Sequence, residues 1–413
     1  MTDQTMPNNP PLDDYRWLVG SEAQAWLHRV EEDRRDTLAI AQSLRRDLSA
    51  SRVHLLLEQI ELRRRARDKF ADAGRMFFTR TGLEQSTDQI VAAYKVLRFA
   101  SYVGRVDLCC GIGGDLMALA RQDTKAQTMG VDLDRVTALL AAANVRNTCP
   151  NARTVVANAA DFRVPDGHAW HLDPDRRPQG RRTTQLVWHS PDLAAVERLI
   201  HRCPHAAIKL APAADVPHAW RDSVELEWIS RRRQCRQLVV WLGNLALSAG
   251  LCRATLLSAD TLDAQPTVHS IVGRPAVSIP TASALGTFIL EPDPAVLAAD
   301  LSGELAARHS LKRIAPQSAY LTSDTPIAEA LLTCFQIEDV LPFDRKRLRR
   351  HLAQHDITRL EIKQRGMSID PQRLQKELQV AGARTAGDTD PVLILARRDN
   401  SAIAILAKRM RET

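Results

Sequence analysis

Hydrophobic positions change their period several times along the chain, and each change marks an expected element. Val53, Leu56, Leu57 and Ile60 recur at helical spacing, and Ser21 with Gln24 has the form of a capping box. Residues 15–75 therefore read as a helical region. Ile90, Ala93, Tyr94 and Leu97 make one face of a further helix, for which Ser86 and Gln89 are the expected cap. From residue 106 the pattern shortens. Apolar runs at 106–108, 130–133, 154–157, 170–172 and 207–210 read as strands, the first followed by a helix at 116–120. Residues 225–229 and 237–242 alternate as a terminal antiparallel pair. This order predicts an α/β fold, a doubly wound, seven-stranded, Rossmann-like sheet with helices on both faces.

A stretch punctuated by Pro275, Pro280, Pro292 and Pro294 marks an expected boundary. Beyond it, residues 360–363 read as a strand and 371–380 as a helix. Residues 391–396 and 402–407 read as a hairpin across 397–401. Together they form a small α+β module.

Composition narrows the class. A chain of 413 residues is too long for one ordinary core, so two or three domains are expected. An apolar share of 45% beside 25% charged residues describes a soluble globular protein, and no apolar run is long enough to span a bilayer. The polar, Pro/Asn-rich start at 1–11 has no signal-peptide character and reads as disordered. Seven cysteines without a C-x-x-C pair fit a reducing cytoplasm, and twelve histidines form no ligand set, so no metal is expected. The net charge of +7 permits a polyanionic partner such as RNA without requiring one. Arg45, Arg46, Arg52, Arg63, Arg64, Arg65 and Arg67 make the helical region's polar face basic, either as a solvated face or as a phosphate contact.

The densest chemistry lies in VDLCCGIGGD at 106–115. A strand ends at Asp107, and a turn containing Cys109, Gly111, Gly113 and Gly114 leads into a helix at Asp115. Glycine lets a ligand approach the backbone, and a helix start offers free N–H groups to an anion. About 20 residues on, Asp132 and Leu133 end a second strand, the usual place for gripping ribose hydroxyls. A dinucleotide fingerprint has G-x-G-x-x-G, whereas this chain has D-x-x-x-G-x-G-G. Asp107 would repel a diphosphate and attract an ammonium group, so S-adenosylmethionine fits better than NAD. Asp161 and Phe162, after the third strand, are the expected adenine contacts.

These residues resemble class I S-adenosylmethionine-dependent methyltransferases over about residues 86–250, and most closely their RNA-modifying branch, including trimethylguanosine synthase-like enzymes. The resemblance implies that Asp107, Gly111, Gly113 and Asp115 border the methionine end, that Asp132 holds the ribose and Asp161 the adenine. It also implies that Gln85, Ser86 and Thr87 belong to a segment lidding the cofactor. The expected division is a helical region at 1–85, a methyltransferase domain at 86–295 and an α+β domain at 296–413. The last is similar to the THUMP-like domain appended to some bacterial methyltransferases, whose namesake binds RNA. Its basic runs, Arg345, Lys346, Arg347, Arg349 and Arg350 with Arg397 and Arg398, suit phosphate, tempered by Asp344, Glu361 and Asp399.

After the fourth strand come Asp173, Pro174, Asp175, Arg176 and Arg177. Amino-methyltransferases carry a D-P-P-aromatic loop here. Asp173 and Pro174 keep the acid and the rigid proline, while Asp175 and Arg176 replace the second proline and the ring. Asp173 is the expected hydrogen acceptor or base, Pro174 orients the loop, and Arg176 stacks on a base or pairs with phosphate. Cys109 and Cys110 suit packing in a tight turn better than nucleophilic work, and Lys209 suits a salt bridge. RNA is the expected acceptor. The alternatives are a protein or small-molecule acceptor, or a catalytically silent binding module.

Overall fold

A computed structural model describes residues 10–146, 148–176, 183–367, 369–382, 391–398 and 401–410. Arg177, Asp399 and most of the expected disordered start lie outside the described residues. The chain divides into two compact units, one from Met1–Glu225, Gln237–Gly250 and Leu257–Thr267, the other from Leu226–Arg236, Leu251–Leu256 and Val268–Thr413.

The first unit opens with α1 (Leu12–Leu18), α2 (Ser21–Glu32), α3 (Thr37–Leu44) and α4 (Ala50–Ala66). The expected capping box is absent: Gly20 is the N-cap of α2, with no side-chain bond. Asp36 and Ser49 do cap α3 and α4. Of the basic face, Arg63 is buried instead, donating to the Met76 carbonyl at 3.0 Å and pairing with Glu31. The remaining elements are α5 (Arg80–Gln85), α6 (Gln89–Lys95), β1 (Gly104–Leu108), α7 (Gly114–Gln122), β2 (Gln127–Asp132), α8 (Arg135–Arg146), β3 (Ala152–Val156), β4 (His168–Leu172), α9 (Leu193–Arg202) and β5 (Ala206–Leu210). Asp88, rather than Ser86, caps α6, accepting from the Val91 amide, and Ser86 ends α5.

Strands β1 to β5 are parallel in the order β3-β2-β1-β4-β5. The order reverses between β1 and β4, and such a switch point opens a crevice at the strands' carboxyl ends. Every residue of β1 is buried, as expected for a central strand covered on both faces. One apolar cluster joins Leu62, Ala66 and Phe70 to Leu116 and Met117 of α7. Another joins Tyr15, Leu27 and Leu56 to Leu140 of α8. The N-terminal helices thus pack on the sheet's own helices.

β6 (Glu225–Arg231) and β7 (Gln234–Leu242) are joined by a turn in which Arg232 and Arg233 take left-handed φ. β7 runs antiparallel to β5, with Ala206 opposite Leu242. β8 (Cys252–Ser258) and β9 (Thr267–Gly273) continue the order β6-β8-β9, two strands beyond the seven expected. β9 has weak apolar patterning and only Ile271 buried, whereas β8 is mostly buried.

The second unit also holds β10 (Phe288–Pro292), α10 (Pro294–Ala298), α11 (Ser302–His309), β11 (Lys312–Arg313), β12 (Leu321–Ser323), β13 (Leu332–Pro342), α12 (Arg345–Gln354), β14 (Glu361–Gln364), α13 (Pro371–Leu378), β15 (Val392–Arg398) and β16 (Ser401–Arg409). Its seven-stranded sheet runs β11-β12-β10-β13-β16-β15-β14. β10 pairs with both β12 and β13, so Pro292 ends a strand and Pro294 starts a helix. Leu348 and Leu352 bury one side of α12, while Lys346, Arg347, Arg349 and Arg350 are exposed.

A candidate cofactor and acceptor cavity

The turn after β1 is built from left-handed backbone: Cys109 has φ 57°, Gly111 55° and Gly113 88°. Glycine takes such angles freely, but Cys109 holds one at a steric cost, a feature that clusters at functional sites. The two glycines do different work. A Cβ at Gly111 would meet nothing within 4 Å, so bare backbone faces open space, whereas one at Gly113 would touch Ala141 of α8 at 3.5 Å.

That open space is a cavity of about 610 Å³ at the carboxyl ends of β1, β2 and β4. Gln85, Ser86 and Thr87 line it, with Asp107, Cys109, Gly111, Gly114 and Asp115 of the turn. Asp132 and Leu133 after β2 join them, as do Asp173, Pro174 and Arg176 after β4. Three expected residues do not. Gly113 faces α8, and neither Asp161 nor Phe162 lines the cavity. In the short turn after β3, Asn158 Nδ2 donates to Asp161 Oδ2 at 2.7 Å, a local bond that holds the carboxylate in an exposed position. Thr79, Thr81, Thr137 and Ser190 are lining residues that sequence reasoning missed. Thr79 had left a signal, since it caps α5 through Gly82 N.

The segment before α5 is clamped from behind. Gln59 of α4 accepts from Phe78 N at 2.9 Å and donates to Phe78 O at 2.7 Å. Asn144 of α8 does the same for Phe77, at 2.7 and 3.0 Å, and also reaches the Ile112 carbonyl. Both amides are buried, so both spend their donors and acceptors on backbone.

Beneath the glycine turn lies a buried polar chain that the sequence did not reveal. Asp107 Oδ1 is 2.7 Å from His171 Nδ1, and His171 Nε2 is 3.1 Å from Lys95 Nζ. Lys95 in turn pairs with Asp115 Oδ1 at 2.7 Å, and Thr87 Oγ1 donates to Asp115 Oδ2 at 2.6 Å. An ammonium only donates, so His171 Nε2 accepts and Nδ1 carries the hydrogen given to Asp107. Burial pushes the Asp107 carboxyl above its ordinary range, against the pull of His171. Burial acts on Asp115 too, but the Lys95 ammonium overrides it and holds that carboxyl below its ordinary range.

At the end of β2, Asp132 Oδ2 accepts from Gly111 N at 2.9 Å and Oδ1 from Asp134 N at 3.0 Å. These bonds orient the carboxylate and leave lone pairs for a diol. Burial raises its pKa despite the two amides. Cys109 is pushed well up by burial and then by Asp132, so its thiol stays protonated near neutrality, suiting packing rather than attack. Lys209 of β5 makes the expected salt bridge, reaching Asp173 Oδ2 at 2.6 Å.

The residues fit the methionine-type cofactor on the structure's own terms. Asp107 Oδ2 is buried and without a hydrogen-bond partner among the described residues, a place for a cation, and Gly111 leaves its side-chain space open. Six aspartates line the cavity, at 107, 115, 132, 134, 173 and 175, which disfavours a diphosphate.

The switch-point sheet with its acid-flanked glycine turn defines the class I methyltransferase fold. A solved structure from Porphyromonas gingivalis, assigned only provisionally as a methyltransferase, shares that fold with a TM-score of 0.68 at 20% identity, covering 97% of this chain and 98% of that one. The chain is also 32% identical over 340 residues to uncharacterised S-adenosylmethionine-dependent methyltransferases from two strains of Mycobacterium tuberculosis, covering 80% of this chain and 90% of each relative. It belongs to the S-adenosylmethionine-dependent methyltransferases. Residues 332–409 match the THUMP domain-like family, and 11–66 match a domain of unknown function (DUF8688).

Proposed function

We propose that this methyltransferase modifies RNA in the cytoplasm, with Asp173 orienting the acceptor atom. The observation that carries the reading is one cavity shared by the cofactor-type residues and by Asp173, Pro174 and Arg176. Bound S-adenosylmethionine would supply a methyl group on a sulfonium, already activated for in-line displacement. The chain's task is alignment and proton handling. Asp107 and Asp115 would border the methionine end, Asp132 would hold the ribose, and Gln85 to Thr87 would cover the cofactor. Lys209 occupies Oδ2 of Asp173, which leaves Oδ1 to accept an acceptor hydrogen. Pro174 stiffens that loop, and Arg176 offers a planar guanidinium to a base or phosphate.

RNA is favoured over other acceptors by the THUMP domain-like match and by the exposed cations of α12, a phosphate-compatible surface within the matched region. Mass spectrometry of nucleosides from cells with and without the protein tests this. A methylated nucleoside missing from the deletion strain is expected. An unchanged nucleoside profile, with no RNA crosslinked to the protein, would refute the RNA assignment.

A further inference from the structure

We infer that Lys95 and His171 are positioning residues for the cofactor's amino-acid tail, dividing two buried aspartates so that Asp107 alone receives the α-ammonium. The inference rests on reading the cavity as the cofactor site.

Asp107 and Asp115 both line the cavity and both are buried, and from residue type alone either is a seat for an ammonium. Their bonding separates them. Asp115 Oδ1 has no hydrogen-bond partner among the described residues but is ion-paired with Lys95 at 2.7 Å, and its Oδ2 accepts from Thr87. Its charge is already compensated by the Lys95 ammonium. Asp107 has one oxygen on His171, while Oδ2 has no partner among the described residues. A buried carboxylate oxygen without a partner is costly, and a ligand cation is the natural relief.

His171 sits between the two halves. Its ring takes a hydrogen bond from Lys95 on one side and gives one to Asp107 on the other. It therefore keeps the lysine charge on Asp115 and away from Asp107. Replace the ring with an apolar side chain, and the Lys95 ammonium is free to turn toward Asp107. It would then occupy the position meant for the ligand. Glutamine at 171 can still donate to Asp107 and accept from Lys95, so His171→Gln preserves the polarity of the chain.

The test compares two probes by calorimetry: S-adenosylhomocysteine, which carries the amino-acid tail, and 5′-methylthioadenosine, which lacks it. His171→Leu should weaken the first by about 10- to 100-fold, the range of one charge-assisted hydrogen bond, and the second by less than about threefold. His171→Gln should recover most of the loss. Equal weakening of both probes, or none, would overturn the inference, because a merely structural histidine does not distinguish ligands by their tail. Should His171→Leu fail to fold, Asp107→Asn, which keeps the volume and removes the charge, must show the same tail-selective loss. Wild-type protein that bound neither probe would instead refute the cofactor-site reading itself.

Discussion

Lys209 Nζ lies 2.6 Å from Asp173 Oδ2 and 2.9 Å from the carbonyl oxygen of Gln85. One ammonium thus ties the carboxylate after β4 to the segment proposed to cover the cofactor. The side chains involved are largely buried, so solvent screens the pair less than a surface ion pair. The arrangement links the proposed acceptor-orienting acid to the proposed covering segment through a single residue.

Asp173→Ala should lower kcat by about 10²- to 10⁴-fold, as expected for a lost hydrogen acceptor, while cofactor affinity stays within about threefold. Lys209→Met should lower kcat and also weaken cofactor binding, because it releases Gln85 as well as Asp173. Single-turnover methylation of RNA from a strain lacking the protein, read beside calorimetry, separates the two patterns. Full activity in Asp173→Ala would remove its catalytic assignment.

Asp132→Asn should weaken S-adenosylhomocysteine by about 10-fold or more through loss of a charged acceptor at the ribose. Burial raises the pKa of Asp132 above its ordinary value. Binding that requires its carboxylate is complete above that raised pKa and fades as pH falls through it. The fall should therefore begin at a higher pH than an exposed aspartate would give. A titration of affinity against pH checks this, and the curve should flatten in Asp132→Asn.

Gln59→Ala should destabilise the first unit by about 2–4 kcal/mol, since it strands a buried N–H and a buried C=O of Phe78. Chemical denaturation reads the cost. The loosened segment leads directly into Thr79 and Gln85, so cofactor affinity should drop in the surviving folded protein. A variant as stable as the wild type would show that Phe78 finds other partners.

Reversing Lys346, Arg347, Arg349 and Arg350 to glutamate should weaken RNA binding on all sequences alike. If all four contact phosphates, the slope of log affinity against log salt should flatten by about 0.7–0.9 per lost contact. Filter binding across a salt series measures it. An unchanged slope would exclude α12 as the phosphate surface.

Much of the candidate cavity's lining was legible because strand ends are local. An apolar run followed by Asp107, Asp132 or Asp173 places each acid at a carboxyl edge, whatever the rest of the chain does. The glycine turn was equally plain, although Gly113 turned out to serve the approach to α8. Asp161 lies outside the cavity lining, where Asn158 two positions into the same turn bonds one of its carboxylate oxygens. The caps at Ser21 and Ser86 failed, where Gly20 and Asp88 took those places.

The amino-acid order alone settled the alternation of strands and helices, the acid-flanked turn and the family they resemble, because periodicity and turn chemistry act over a few neighbouring residues. Folding decided who meets whom. Lys95 and His171 are 76 positions apart and Gln59 and Phe78 are 19 apart, and neither pair follows any spacing rule. Their meeting depends on strand register and helix packing, which bring distant side chains into a dry interior where a single hydrogen bond settles a residue's role.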